Sequence, residues 1–153
     1  MKILIAAIMT ILSLASCTIE TSDNGKLDAY WHLERIDTLA TSGSADYSQK
    51  RIFWGAQLRL IAINDIDDGD VQKYYARFEQ TGDSLKLTKI YENHWHEDNP
   101  NSNVGGDIPV ETVGDDLRHY GINELPEGFA KERLDQSHMV LRSKTLRLTF
   151  RRF

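Results

Sequence analysis

From residue 27 onward apolar positions recur at every second place, the spacing of strands that bury one face. In residues 30–36, Trp31 and Leu33 share one side while His32 and Glu34 share the other, so His32 is expected to face solvent. Residues 37–48 contain Thr-Ser-Gly-Ser and read as a loop. Residues 51–63 read as one long central strand bent near Gly55, with Trp54, Ala56, Leu58 and Leu60 on one side and Phe53, Arg59 and Ile61 on the other. After the acidic turn 64–70, residues 73–81 alternate again with Tyr74, Ala76 and Phe78 in phase. Thr81-Gly82-Asp83-Ser84 then turns the chain into Leu85 and Leu87, predicting an antiparallel hairpin.

Residues 92–107 break the alternation, and a long irregular stretch in a compact domain is where function or mobility concentrates. Residues 108–113 predict a short edge strand carrying Pro109. Residues 114–121 predict a short helix with Asp115 or Asp116 as its cap. Three strands follow at 129–134, 138–142 and 146–152, with Leu146, Leu148 and Phe150 in one phase and Arg147, Thr149 and Arg151 in the other. About eight short antiparallel strands with one short helix predict an all-β, up-and-down barrel.

The chain has 153 residues and ends this alternating region at Phe153, enough for one domain over 26–153 and no second. Ahead of it, Lys2 and an apolar run from Ile3 to Leu12 form a secretory signal over 1–16, too short for a membrane span of about 20 residues. Leu14-Ala15-Ser16-Cys17 resembles the lipobox of bacterial lipoproteins, which implies that Cys17 is acylated and heads the mature chain. The alternative is an ordinary signal peptide cut near Ala15 or Ser16 that leaves Cys17 as a thiol. Residues 17–25 are polar and read as the lipid-bearing tether. These features predict a protein of the bacterial cell envelope, held at the outer membrane or the periplasmic face. Cys17 is the lone cysteine, so no intrachain disulfide forms. Net charge is -5, and -6 once Lys2 is removed, which argues against nucleic-acid partners.

A tryptophan in the first strand, successive hairpins, a late short helix and a last strand running into arginines make the domain similar to the lipocalin-like domains of small bacterial lipoproteins. That resemblance implies that Trp31 plugs the closed end of the barrel and that Arg151 or its neighbour Arg152 lies across the indole. It departs from the lipocalin Gly-x-Trp, since Gly25 stands six residues before Trp31. An eight-stranded barrel is either filled by side chains or holds one small ligand. Trp54, Tyr74 and Phe78 are the candidate ligand contacts, around an apolar or aromatic molecule at a mouth edged by 92–107.

Candidate chemistry is sparse. His94 and His96 point the same way on an extended segment and could share a metal with Glu97, Asp98 or His119. Asp65, Asp67 and Asp70 lack the glycine placement and closing glutamate of a calcium loop and read as a turn. No cofactor is expected, and no nucleophile or phosphate-loop motif supports an enzyme. The expectation is a lipid-anchored, non-enzymatic binding protein. The alternatives are an accessory module whose filled barrel docks on another envelope protein and, more remotely, a small hydrolase or isomerase.

Overall fold

A computed structural model describes residues 22–69, 73–93 and 108–153. Ten strands, all antiparallel to their neighbours, form one sheet: β1 (Ala29–Thr38), β2 (Gly43–Asp46), β3 (Ile52–Gln57), β4 (Leu60–Asp65), β5 (Tyr74–Gln80), β6 (Ser84–Glu92), β7 (Ile108–Pro109), β8 (Glu127–Leu134), β9 (His138–Arg142) and β10 (Leu146–Arg152). Eight of them close into a barrel in the order β1-β3-β4-β5-β6-β8-β9-β10, with β10 returning to pair with β1. Closure removes free edges from the main sheet. The expected up-and-down barrel is therefore present. β2 and β7 are short additions, hydrogen-bonded to β1 and β6.

The interior follows the alternation. Trp31 faces Trp54, Trp54 faces Ile63 and Ile63 faces Tyr74, a row of side chains crossing four strands on the same inward side. Leu33, Leu85, Leu87, Leu148 and Phe150 add fully buried side chains. Trp54 lies 5.1 Å from Phe150 and 6.0 Å from Phe129, ring centre to ring centre. These rings interlock across the barrel axis.

One end is closed by a single 3-10 turn, Gly25–Leu27. The Trp31 indole donates to the Leu27 carbonyl at 2.9 Å, and Leu27 is completely buried. The other end is covered by helix α1 (Asp115–His119) and the residues after it, through buried Leu117, Tyr120 and Ile122. Glu127, 2% exposed, accepts the backbone N–H groups of Asn123 and Glu124 at 2.7 Å each and so ties the exit of this segment to β8.

Several expectations are corrected. Residues 51–63 are not one bent strand: β3 and β4 form a hairpin that turns on Leu58 and Arg59, with Leu58 at φ 54°. The two-residue turn shifts the apolar phase, so Ile61 and Ile63 oppose Ala56 and Trp54 inside while Leu60 opposes Gln57 outside and is 40% exposed. Gly55 is needed for a different reason than bending, because a Cβ there would come within 2.9 Å of the Tyr30 ring that lies over it. His32 does sit on the outward side of β1 but is buried, since the Phe53 ring lies 5.1 Å away and the Lys50 carbonyl 2.6 Å from Nε2. Residues 43–46 pair with β1 rather than forming plain loop. The helix is capped by Gly114, with Asp115 and Asp116 in its first turn where they favour the helix dipole.

Candidate functional site

The inward parity of β4 runs Ile61, Ile63, Asp65, which places a carboxylate on the core side where that strand reaches the α1 end. Asp65 is 6% exposed. Helix α1 brings two groups to it: the Tyr120 hydroxyl donates to Asp65 Oδ2 at 3.3 Å, and His119 Nε2 stands 4.0 Å from the same oxygen. The other ring nitrogen of His119, Nδ1, is 3.2 Å from the Tyr47 hydroxyl, contributed by the chain between β2 and β3. Lys50 lies over the Tyr47 ring at 4.6 Å. Tyr74, at the start of β5, approaches Tyr120 with ring centres 6.0 Å apart.

Lys50, Asp65, His119 and Tyr120, with Asp116 among others, line a cleft of about 350 Å³. Two further acids in it are already neutralised, Asp67 by Arg51 at 2.7 Å and Asp68 by Lys73 at 2.8 Å. Among the described residues Asp65 and Asp116 have no arginine or lysine in ion-pair range, so the cleft presents carboxylate acceptors beside aromatic walls. Burial pushes the phenols of Tyr47, Tyr74 and Tyr120 up, and for Tyr120 the Asp65 charge adds to it. All three stay neutral donors. Burial, then the Lys50 charge, hold the His119 imidazole below its ordinary 6.5.

A stability signature follows. Because the folded imidazole titrates below 6.5, unfolding takes up a proton between the folded value and 6.5. Stability is therefore unaffected by this group above 6.5 and declines as pH falls through that window. Denaturation midpoints at pH 7.5 and 5.5 are expected to differ more in the wild type than in His119→Asn; equal differences would contradict the assignment.

Trp54 and Phe78 are 1% and 8% exposed and belong to the packed interior. Tyr74 is half-buried at the α1 end, beside but not lining the cleft. Five surface clefts of about 350 to 630 Å³ take none of their lining from these three residues. Trp31 stands at the closed end, on the Leu27 carbonyl. Arg151 does not lie across it: outward parity sends its guanidinium to Glu34 at 2.6 Å. Arg152 has the inward register, opposite Trp31, and reaches the Asp28 carbonyl at 3.4 Å. Cys17, His94 and His96 lie outside the described residues, as does Asp70. Among the described residues no group of three His, Cys, Asp or Glu is placed to hold a metal.

Tyr47, Asp65 and Tyr120 were not singled out as a site by the sequence. The available signal was Asp65 itself, an acid in the buried phase of a strand, visible only once the turn at Leu58 is recognised.

Two solved structures share the architecture. A lipocalin-like protein from Bacteroides uniformis aligns over 84% of this chain and 100% of its own at 15% identity, with a TM-score of 0.57. An uncharacterized protein from Bacteroides eggerthii aligns over 82% of this chain and 98% of its own at 16% identity, with a TM-score of 0.50. No curated protein matches the chain significantly in sequence. A lipocalin-like domain family matches residues 10–153, and with the closed barrel just described the chain belongs to that family.

Proposed function

We propose that this is a lipid-anchored binding protein of the bacterial envelope, acylated at Cys17, that holds a small ligand at the α1 end of the barrel rather than within it. Lipocalin-like barrels are a scaffold suited to small ligands. The observation that carries the site is the buried Asp65 carboxylate, met by the Tyr120 hydroxyl and His119 at the edge of a cleft of about 350 Å³. Pockets for small molecules start at roughly this size, with a few convergent polar groups fixing orientation. Asp65 and Asp116, neither ion-paired to a described arginine or lysine although Lys50 lines the same cleft, together with neutral phenol donors and aromatic faces, favour a molecule with an apolar or aromatic body and an amine or hydroxyl tip.

The test compares tyramine with 4-hydroxyphenylacetate, which share the ring and differ in the sign of the charged end. Tyramine is expected to raise the melting temperature and the acid is not, because a ligand that binds only the folded state stabilises it by mass action. Asp116→Asn, an exposed change on α1, is expected to remove the effect. Indifference to both probes, together with native mass spectra free of any retained molecule in protein from its own host, would reject the site.

A second reading draws on the interlocked Trp54, Phe129 and Phe150 rings: a filled barrel that serves as a rigid docking module for another envelope protein. A stoichiometric protein partner in the same native spectra, without a small-molecule adduct, would favour it. Acylation is tested separately, by labelling with palmitate and loss of the label in Cys17→Ala.

A further inference from the structure

We infer that the outer face of β4, β5 and β6, next to the β3–β4 turn, rests on an anionic phospholipid surface. The inference rests on the lipid-anchor reading for its geometry. It adds which side of the barrel meets the bilayer.

The first observation is charge. Arg35, Arg51, Arg133, Arg147 and Arg151 each hold a carboxylate at 2.5 to 2.7 Å. Arg59, Arg77, Lys86 and Lys89 are exposed and make no ion pair with a described residue. The register gathers them: Leu60 opposes Arg77, Arg77 opposes Lys89, and Lys86 opposes Glu79, an acid on this face. In a chain of net charge -5, cations left unneutralised on one side of the barrel are complementary to phosphate headgroups.

The second observation is apolar surface on the same face. Of the three large hydrophobic side chains exposed among the described residues, Leu58 and Leu60 stand here, 42% and 40% exposed. Tyr75 and Tyr91 oppose one another in the next row. Two clefts, of about 630 and 370 Å³, share Leu60 and Arg77 as lining. Leucine flanked by arginine, with tyrosine beside them, is the mixture that seats in the headgroup region.

The third observation is where the anchor's chain arrives. The Asn24 side-chain amide donates to the Leu58 carbonyl, and Gln80 donates to the Asn24 side chain at 3.3 Å, so the start of the domain is fastened to the β3–β4 turn. Ser22, Asp23 and Asn24 line the larger cleft. From Cys17 to Ser22 the chain extends at most about 18 Å. A lipid on Cys17 therefore keeps this face, and not the α1 end, within reach of the bilayer. The α1 cleft is left open to the aqueous side.

The experiment places an environment-sensitive fluorophore on the full chain with Leu60→Cys, acylated at Cys17 and reconstituted into vesicles. In phosphatidylglycerol vesicles the emission is expected to shift to the blue relative to phosphatidylcholine vesicles. The shift should reverse in 1 M salt, where screening acts within about 3 Å. It should also be lost when Arg59→Glu and Arg77→Glu are combined. The same label at Lys144→Cys, in the β9–β10 turn at the opposite end, is expected to show no dependence on lipid charge. Equal emission at residues 60 and 144, or a shift indifferent to lipid charge, overturns the proposal. Mass spectrometry of Cys17 reports separately on the anchor. Should no acyl group be found, the measurement is made on a Cys17→Ser chain held to nickel-chelating lipid through an N-terminal histidine tag, with the same outcomes deciding the face.

Discussion

Trp54→Ala is expected to destabilise the barrel by about 3–5 kcal/mol and to lower its melting temperature by roughly 10 to 15 °C for a domain of this size. Trp54 is 1% exposed and lies edgewise against Phe129 and inclined to Phe150 near the middle of the interior. Removing the indole takes away its transfer energy and its dispersion contacts together, because the walls come from separate strands held by backbone pairing and can close only partly. The cavity left behind is apolar, so it stays dry. Added indole is then expected to restore part of the lost stability in Trp54→Ala and to leave the wild type unchanged. That contrast measures whether the native interior is full. An effect of indole on the wild type would show room inside the barrel and return the ligand to Trp54 and Phe78. Trp54→Phe separates a further contribution: the Trp54 Nε1 is buried without a hydrogen-bond partner among the described residues. The phenyl ring removes that donor while keeping most of the volume, so its cost is expected to be well below that of alanine.

The barrel was legible in the sequence because one rule, alternation, governs most of it. Trp31 with Leu33, Tyr74 with Phe78, and Leu146 with Phe150 each read in the phase they occupy. Where the rule failed, an identifiable competitor had displaced it. The β3–β4 turn carries Leu58 and Arg59 rather than the glycine or asparagine that marks such turns, and Leu58 takes a positive φ that side chains usually avoid. Without that break, Leu58 and Leu60 continue the apparent inward phase of Trp54 and Ala56, and the exposed face they form is invisible. Outward parity alone predicts a solvated His32, but the outer surface there is covered by the Phe53 ring at 5.1 Å. The family resemblance leaves Arg151 or Arg152 open as the arginine beside Trp31, and the pairing of Trp31 with Arg152 shows that parity selects the latter. The α1 cleft was the least legible part. Its groups come from the stretch before β3, the end of β4 and the end of a five-residue helix, 72 positions apart for Tyr47 and His119. Only closure of the barrel brings them together.

Gly121→Ala is expected to cost about 2–5 kcal/mol, more than any other single-methyl addition argued from this structure, and to disable the α1 cleft. Two penalties coincide at this position. Gly121 has φ +87°, and the Cβ of an alanine there would lie 2.7 Å from Leu148 Cδ2 and 2.9 Å from Cδ1, in the core. The residue cannot relax toward negative φ without undoing the end of α1. Its N–H bonds the Arg118 carbonyl at 3.0 Å, and the N–H of Ile122 bonds the Leu117 carbonyl at 2.9 Å, the paired bonds of a Schellman cap. Leu117 and Ile122, 1% and 0% exposed, make the apolar contact that accompanies it. This cap sets the direction in which His119 and Tyr120 leave the helix, and hence their approach to Asp65. Gly25→Ala supplies the control: it too has a positive φ, +60°, but no described residue stands within 4 Å of the added carbon, so it carries the backbone penalty without the clash. The excess cost at Gly121 is expected to shrink when Leu148→Val is added, since the double mutant relieves the contact and leaves φ unchanged. Denaturation midpoints of the four variants decide it. If Gly121→Ala and Gly25→Ala cost the same, Leu148 is not the obstacle, and the positioning of His119 and Tyr120 would have to rest on the helix alone.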